Sequence, residues 1–280
     1  MLVRILTAAV GLPLLLAIVL LLPPIGTAVL FGLACMIAAY EMLWRTRLWR
    51  NKGAVVLTAL MGAAVILWSW CKGCGILTGE QLWLSALVGL FVFFSILFCQ
   101  LLAGHGKVKV QSIAAVLFAG FVYPFMLGAL VRLRSMNGGE FYILVAFLLS
   151  MVADSGAYFV GRALGKHKLA PVISPKKTVE GAIGGALVNV LAMLGYTLLL
   201  NKCFGFAQVN YIYAAIYGLL GAGASIIGDL TLSVIKRQVK IKDYGNLMPG
   251  HGGILDRFDS TMMVAPLVEI LLLLIPFAVK

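Results

Sequence analysis

Apolar runs of about 20 residues recur along the whole chain, and they restrict its fold more than any other feature. A helix of that length crosses a hydrocarbon core of about 30 Å. Inside a bilayer every backbone amide and carbonyl must be satisfied within the chain, which leaves only helices and closed barrels. The strands of a barrel alternate apolar and polar residues, and this alternation is missing. With 62% hydrophobic and 11% charged residues, the sequence predicts an all-α, polytopic integral membrane protein.

We predict about nine transmembrane helices from these runs, and no strands. The first run is too long for the apolar part of a signal peptide, and it continues through Pro23 and Pro24 into the next run. A hairpin of two spans is therefore expected at the N-terminus. The predicted spans are residues 5–22, 25–43, 54–70, 82–102, 113–131, 141–161, 181–200, 211–235 and 261–279.

The distribution of basic residues predicts that the N-terminus is cytoplasmic. Loops on the cytoplasmic side of a membrane carry an excess of lysine and arginine. With the N-terminus inside, most of the 22 cations fall on that side. The topology thus accounts for much of the net charge of +12. Because no helix-turn-helix, zinc-finger or RNP-like pattern is present, we expect no binding of nucleic acid.

The N-terminal spans, residues 1–112, carry few chemical motifs. Glu41 is a functional candidate because it is an acid at membrane depth. Its position four residues before Arg45 favours a helical ion pair instead. Cys71 and Cys74 form a lone C-x-x-C, which fits interfacial cysteines or a local disulfide better than a redox or metal site.

The catalytic features concentrate in residues 113–280. Asp154 and Asp229 each lie about 10–12 Å above the cytoplasmic end of a helix, at 1.5 Å per residue. A carboxylate at a helix centre costs roughly 2.5–3.5 kcal/mol unless it is paired, hydrated or bound to a cation. The polar residues of the second helix share one face, which must line protein or water, not acyl chains. These residues are Ser225, Asp229, Ser233 and Lys236.

Two predicted cytoplasmic loops, residues 162–180 and 236–260, supply further groups. Asp256 and Asp259 are three residues apart, so their carboxylates point the same way if this segment opens the last helix. Helix-start electrostatics explains either acid alone. Combined with Asp229, the acids fit Mg²⁺, which prefers oxygen ligands and shares its shell with phosphates. The predicted metal ligands are Asp154, Asp229, Asp256 and Asp259, and a second cation stays an open alternative.

Basic residues and glycines in the same loops predict a polyphosphate site. Lys176 and Lys177 precede a helix start where Thr178 is a candidate cap, and such a helix end attracts anions. Gly252 and Gly253 allow close approach of backbone to a ligand. Anchoring to anionic lipid explains the lysines but not the interleaved acids and glycines. The candidate substrate-binding residues are Lys176, Lys177, Ser233, Arg237, Lys242, Gly252, Gly253 and Arg257. The candidate catalytic residues are Asp229, Asp256, Asp259, Lys236 and His251.

The segment from Ser233 to Asp259 matches S-x-x-K-R-x4-K-D-x5-P-G-H-G-G-x-x-D-R-x-D at every specified position. With DSGAYFVGRALGKHK from Asp154 and SPKKTVEG from Ser174, it resembles the phosphatidate cytidylyltransferase (CDP-diacylglycerol synthase) family. The resemblance implies that CTP and phosphatidate react to CDP-diacylglycerol and pyrophosphate, with Mg²⁺, in an all-helical homodimer. It also implies a multi-pass protein of the bacterial inner (plasma) membrane whose active site faces the cytoplasm.

Two other functions would use similar parts. A CTP-dependent membrane lipid kinase would release CDP, whereas a cytidylyltransferase releases pyrophosphate. A cation transporter, the less favoured alternative, would use Asp154 and Asp229 as ion sites but would not need the glycine-flanked loop. The D-G-x2-A-R pattern expected of a CDP-alcohol phosphatidyltransferase is missing.

Overall fold

A computed structural model describes residues 2–104, 108–206, 208–247 and 252–279, with side chains from residue 9 onward. The described chain is predominantly helical, so the prediction of an all-α fold is confirmed. It divides into two compact units. The N-terminal unit comprises Met1–Met136 and Gln238–Phe258, and the C-terminal unit comprises Asn137–Arg237 and Asp259–Lys280.

The N-terminal unit contains six α-helices and two π-helical turns in its described part. Asn51 caps the third helix by accepting a hydrogen bond from the Ala54 amide at 3.1 Å, and Thr78 forms a capping box with Gln81 at the fourth. The helices are α1 (Leu2–Leu21), α2 (Pro24–Tyr40), α3 (Lys52–Gly73), α4 (Gly79–Ala103), α5 (Val110–Leu117) and α6 (Tyr123–Arg134). The π-helical turns are Glu41–Arg45, which extends α2, and Phe118–Val122, which joins α5 to α6. The core lies where α2, α3 and α6 pack together.

The C-terminal unit contains four helices and four short strands in its described part. The helices are α7 (Gly139–Leu164), α8 (Val179–Cys203), α9 (Tyr211–Gln238) and α10 (Thr261–Leu274). The strands are β1 (Lys168–Ala170), β2 (Ser174–Thr178), β3 (Gln208–Val209) and β4 (Ala278–Val279). β1 pairs with β2 and β3 with β4, both antiparallel, so the expectation of no strands is wrong. Pairs this short have no repeating apolar pattern that a sequence could show.

Glycines bring α7 and α8 into close contact. A Cβ at Gly185 would lie 2.8 Å from the carbonyl oxygen of Ala153, and one at Gly181 would lie 2.7 Å from that of Ala157. Small residues at helix interfaces allow such approach of backbones within membranes. The contact fixes the start of α8, and with it the end of β2, against α7.

Seven described helical segments are long and apolar enough to cross a membrane, and two shorter apolar helices accompany them. The long segments are Pro24–Arg45, Lys52–Gly73, Gly79–Ala103, Val110–Arg134, Gly139–Leu164, Val179–Cys203 and Tyr211–Gln238, and the shorter helices are Ala9–Leu21 and Thr261–Leu274. Each predicted span overlaps one of these segments, so the chain is a polytopic membrane protein. The number of crossings and the cytoplasmic N-terminus stay predictions. The division at residue 112 also stays a prediction, because it rests on motif content and not on packing.

Candidate functional site

Three carboxylates of the C-terminal unit come together from different parts of the chain. Asp154 belongs to α7, Asp229 belongs to α9, and Asp259 lies just before α10. The charges of Asp154 and Asp259 each interact with that of Asp229, and with one another. Gly228 permits this meeting, because a Cβ at that position would overlap the carbonyl oxygen of Asp259. The structure thus gathers three of the four predicted metal ligands, while their role as ligands stays a prediction.

Serine hydroxyl groups orient these acids. The two oxygens of Asp154 accept hydrogen bonds from Ser225 at 3.1 Å and Ser260 at 2.8 Å. Asp229 accepts one from Ser233 at 3.3 Å. Ser225, Ser233 and Lys236 are buried, as the predicted polar stripe requires. Ser260 was not identified from the sequence as a site residue. Its position directly after the candidate ligand Asp259 was a signal that could have indicated this role.

The basic residues of the C-terminal unit approach the acids from two directions. Lys177, at the end of β2, forms an ion pair with Asp229. Thr178 caps α8 as predicted, because its hydroxyl accepts a hydrogen bond from the Gly181 amide at 3.1 Å. Lys236 reaches the cluster from α9 and interacts with the charge of Asp259.

The β1–β2 hairpin is attached to the end of α9. The guanidinium Nε of Arg237 donates a hydrogen bond to the carbonyl oxygen of Ile173 at 3.1 Å. Lys176 lies in the same hairpin and is exposed. Arg237 therefore has a structural contact beside its predicted role with phosphate, and Lys176 is accessible for the role predicted for it.

The cluster places Asp259 in an unfavourable setting for a negative charge. Burial raises the pKa of Asp259 to about 7, and the neighbouring Asp229 carboxylate acts in the same direction. The Ser260 amide and the Lys236 ammonium oppose this shift. Carboxylates that repel each other in a partly buried site are stabilised by a bound cation. The electrostatics of the cluster therefore favour cation binding.

The carboxylates of the cluster fit a magnesium site of the kind that has few protein ligands. Among the described residues, no group of three or more His, Cys, Asp or Glu side chains has an arrangement that could hold a metal ion. Mg²⁺ is commonly bound through one or two carboxylates, and water and substrate phosphates complete its shell. Asp229 and Asp259, with Lys177 and Lys236 beside them, match that pattern.

Asp256 has a different setting, in the N-terminal unit. Its Oδ2 accepts hydrogen bonds from the backbone amides of Tyr244 at 2.8 Å and Gly253 at 3.0 Å. The last helix begins only at Thr261. The segment of Asp256 and Asp259 therefore does not open this helix, and the condition under which both carboxylates would point the same way is not met.

Glu41 was not predicted as a site residue, but it contacts the predicted loop of residues 236–260, which also carries Asp256. Its Oε1 accepts a hydrogen bond from the Ile254 amide at 3.1 Å, and its Oε2 accepts one from the Leu255 amide at 3.0 Å. Arg45 interacts with the charge of Glu41, as predicted, but the hydrogen bonds to the carboxylate come from these two amides. Backbone amides have no sequence signature, so no pattern could have identified these partners.

The remaining candidates of the N-terminal unit lie on or near this loop. Lys242 and Arg257 are exposed, and Gly253 is buried. Gly252 has a φ of 85°, a left-handed conformation that favours glycine. His251 lies outside the described residues.

Cys71 and Cys74 lie in the same unit, away from this loop, and both are free, so they form no disulfide. The spacing of Cys71 and Cys74 was interpreted either as a local disulfide or as two interfacial cysteines, and the second interpretation is left.

The whole chain resembles one protein family. A model of the cytidylyltransferase family matches residues 2–275. A phosphatidate cytidylyltransferase of Staphylococcus saprophyticus subsp. saprophyticus is 43% identical over 149 residues, which cover 52% of this chain and 55% of that protein. One of Staphylococcus aureus strain COL is 45% identical over 150 residues, with the same shares. The chain thus spans about half the length of the curated relatives it matches.

Proposed function

Because the chain belongs to the cytidylyltransferase family, we propose that it transfers a cytidylyl group from CTP to phosphatidate. The products are CDP-diacylglycerol and pyrophosphate. The observation that carries the proposal is the meeting of Asp154, Asp229 and Asp259 with Lys177 in the C-terminal unit. Two relatives named phosphatidate cytidylyltransferase support the choice of substrates.

The reaction is an in-line displacement at phosphorus. A phosphate oxygen of phosphatidate attacks the α-phosphorus of CTP, a new oxygen–phosphorus bond forms, and the bond to the β-phosphate breaks. The attacking phosphate monoester is largely dianionic near neutral pH, since its second pKa is about 6. A strong general base is therefore not required. The chain must instead bring two anions together and stabilise the charge on the departing pyrophosphate.

The basic residues of the C-terminal unit are suited to hold the phosphates. Lys177 and Lys236 lie beside the acids, and Lys176 is exposed in the same hairpin as Lys177. We assign phosphate binding to these three lysines and to Arg237, with Ser233 as a hydrogen-bond donor. His251 keeps its predicted role beside the leaving group, and Lys242, Gly252, Gly253 and Arg257 keep theirs in substrate binding.

We assign magnesium binding to Asp229 and Asp259, with Asp154 in support and with Asp256 as the family pattern implies. When bound, the ion would neutralise charge on the phosphates of CTP. The Ser225 and Ser260 hydroxyl groups would hold the Asp154 carboxylate in one orientation. In the same way Ser233 would orient Asp229.

The proposed setting is the inner membrane of a bacterium, with the site open to the cytoplasm. The basic loops predicted on that side support this orientation, and the named relatives are bacterial. The proposed partners are CTP, phosphatidate and the surrounding lipid, in a homodimer that binds no nucleic acid. The dimer rests on the family resemblance alone.

The test incubates the full chain, purified in detergent, with phosphatidate, Mg²⁺ and each labelled nucleoside triphosphate in turn. We expect labelled lipid and pyrophosphate with CTP, and neither product after chelation of the metal. Release of CDP with an added phosphate on the lipid would indicate a lipid kinase instead. Cation uptake into liposomes without nucleotide, together with no labelled lipid, would indicate a transporter.

A further inference from the structure

The carboxylate of Glu41 is buried at the end of α2 and contacts a loop that follows more than 200 residues later. Glu41 retains 2% of its accessible surface. Its two oxygens accept hydrogen bonds from two consecutive amides, those of Ile254 and Leu255. Both partners belong to the N-terminal unit. A carboxylate that receives one amide on each oxygen fixes the direction of the chain that carries those amides.

The loop is shaped to receive this carboxylate. A Cβ at Gly245 or at Gly253 would overlap the Glu41 carboxylate, so any larger residue at either position would displace it. Gly245 precedes the P-G-H-G-G motif in the sequence, and Gly253 is the last residue of that motif. The backbones of these two glycines therefore lie close to a residue of the protein itself, Glu41.

A second carboxylate holds the same loop from within. Asp256 accepts the amides of Tyr244 and Gly253, so the loop is closed on itself between these residues. Glu41 accepts the next two amides along the chain, and together the two acids bind four backbone donors over residues 244–255. Buried amides without partners are costly, so residue 244 and residues 253–255 keep this conformation only while both acids are present.

We propose that Glu41 is a positioning residue, which holds the two described parts of this loop, residues 244–247 and 252–257, in the conformation that cytidylyl transfer requires. The proposal rests on the proposed function, because it concerns the rate of that reaction. Glu41 acts through the backbone and does not touch substrate. A displacement of about 1 Å in a catalytic segment can cost about 100-fold in rate.

The first experiment compares Glu41→Ala and Glu41→Gln with the wild-type chain. Turnover per folded molecule is measured well below the thermal midpoint of each protein, and amide exchange of residues 252–257 is followed by mass spectrometry. We expect kcat to fall about 10- to 100-fold in Glu41→Ala, with KM for CTP changed less than about threefold. Exchange in the loop should rise. Glu41→Gln keeps one acceptor oxygen and should lie between the alanine variant and the wild type.

The matched control is Glu80→Gln, which removes the same charge from an exposed position in the first turn of α4. It should leave both turnover and exchange of residues 252–257 unchanged. Wild-type kcat per folded molecule in Glu41→Ala, or unchanged exchange of the loop, would overturn the proposal. An inactive wild-type chain would refute the proposed function instead, and the exchange comparison would still decide whether Glu41 holds the loop.

A second variant tests the contact from the side of the loop. Gly245→Ala places a Cβ against Glu41 Oε1, so it should lower kcat and raise exchange in the same way as Glu41→Ala. Because both changes break one contact, the double variant should be no slower than the more damaged single variant. Rate losses that multiply in the double variant would show that the two residues act independently, against the proposal.

Discussion

Two sets of acids, one in each unit, differ in their partners. In the C-terminal unit, the charges of Asp154, Asp229 and Asp259 interact with one another, and serine hydroxyls and lysines contact these acids. In the N-terminal unit, Glu41 and Asp256 accept hydrogen bonds from backbone amides. The first set concentrates negative charge at one place, whereas the second set distributes its charge over the main chain.

This difference indicates different roles. Carboxylates that repel each other destabilise the fold unless a cation or a ligand balances them, so a cluster of this kind is typical of a functional site. A carboxylate covered by amides has its charge satisfied by the fold, and its loss leaves buried donors without acceptors. Substitution in the C-terminal cluster should therefore affect catalysis, and substitution of the amide-bound acids should also affect stability.

The largest effect on activity is expected for Asp229→Asn. The change removes one charge from the centre of the cluster while it keeps the shape of the side chain. We expect turnover with CTP to fall about 10²- to 10³-fold, the range for loss of one electrostatic contact in a catalytic site. The unfolding temperature should change little, because loss of the ion pair with Lys177 and relief of the repulsion with Asp259 act in opposite directions.

The control for this prediction is Glu140→Gln, which removes an acid from the first turn of α7 in the same unit. Turnover of this variant should stay within about twofold of the wild type. If Asp229→Asn retained most of its turnover with Mg²⁺, the cluster would not be the catalytic site.

Asp256→Asn should reduce both turnover and stability. The neutral amide oxygen accepts the Tyr244 and Gly253 amides less strongly than the carboxylate, at a cost of about 1–3 kcal/mol in the free energy of unfolding. Thermal unfolding in detergent and turnover are measured on the same preparation. A loss of turnover with an unchanged unfolding temperature would show that the amide bonds to Asp256 do not stabilise the fold, and the contrast between the two units would fail.

The same contrast explains what the sequence could predict. The helices were predictable because apolar runs of sufficient length have few alternatives in a bilayer. The β1–β2 hairpin was not, since three to five residues per strand carry no periodic pattern.

Asp259 was identifiable from its spacing of three residues from Asp256. Asp154 and Asp229 were identifiable because an acid in an apolar context costs free energy and so indicates a function. Glu41 met the same criterion, but its partners are main-chain amides 213 and 214 residues away. Every residue except proline carries such a donor, so nothing in the sequence distinguishes Ile254 and Leu255. The helical spacing to Arg45 was the only signal available, and it indicated a charge interaction but not the hydrogen-bond partners.

Gly228→Ala should sharpen the assignment of the C-terminal cluster. A Cβ at this position would overlap the Asp259 carbonyl oxygen and push residue 259 away from α9. We expect turnover to fall about 10-fold or more, because the spacing of the acids changes. The matched control is Gly223→Ala in the same helix, where a Cβ meets nothing within 4 Å. Alanine there should keep turnover and raise helix stability by up to about 1 kcal/mol.

The smallest effect is expected for Thr178→Ala, which tests whether the lysine beside the cluster depends on the helix cap. Loss of the hydroxyl removes the acceptor for the Gly181 amide and should lower the free energy of unfolding by about 1 kcal/mol. Lys177 is the preceding residue, so KM for CTP should rise a few-fold as the end of β2 loosens. Thr178→Ser keeps the acceptor and should restore both quantities. Equal behaviour of the alanine and serine variants would show that Lys177 is held by its ion pair with Asp229 and not by the cap.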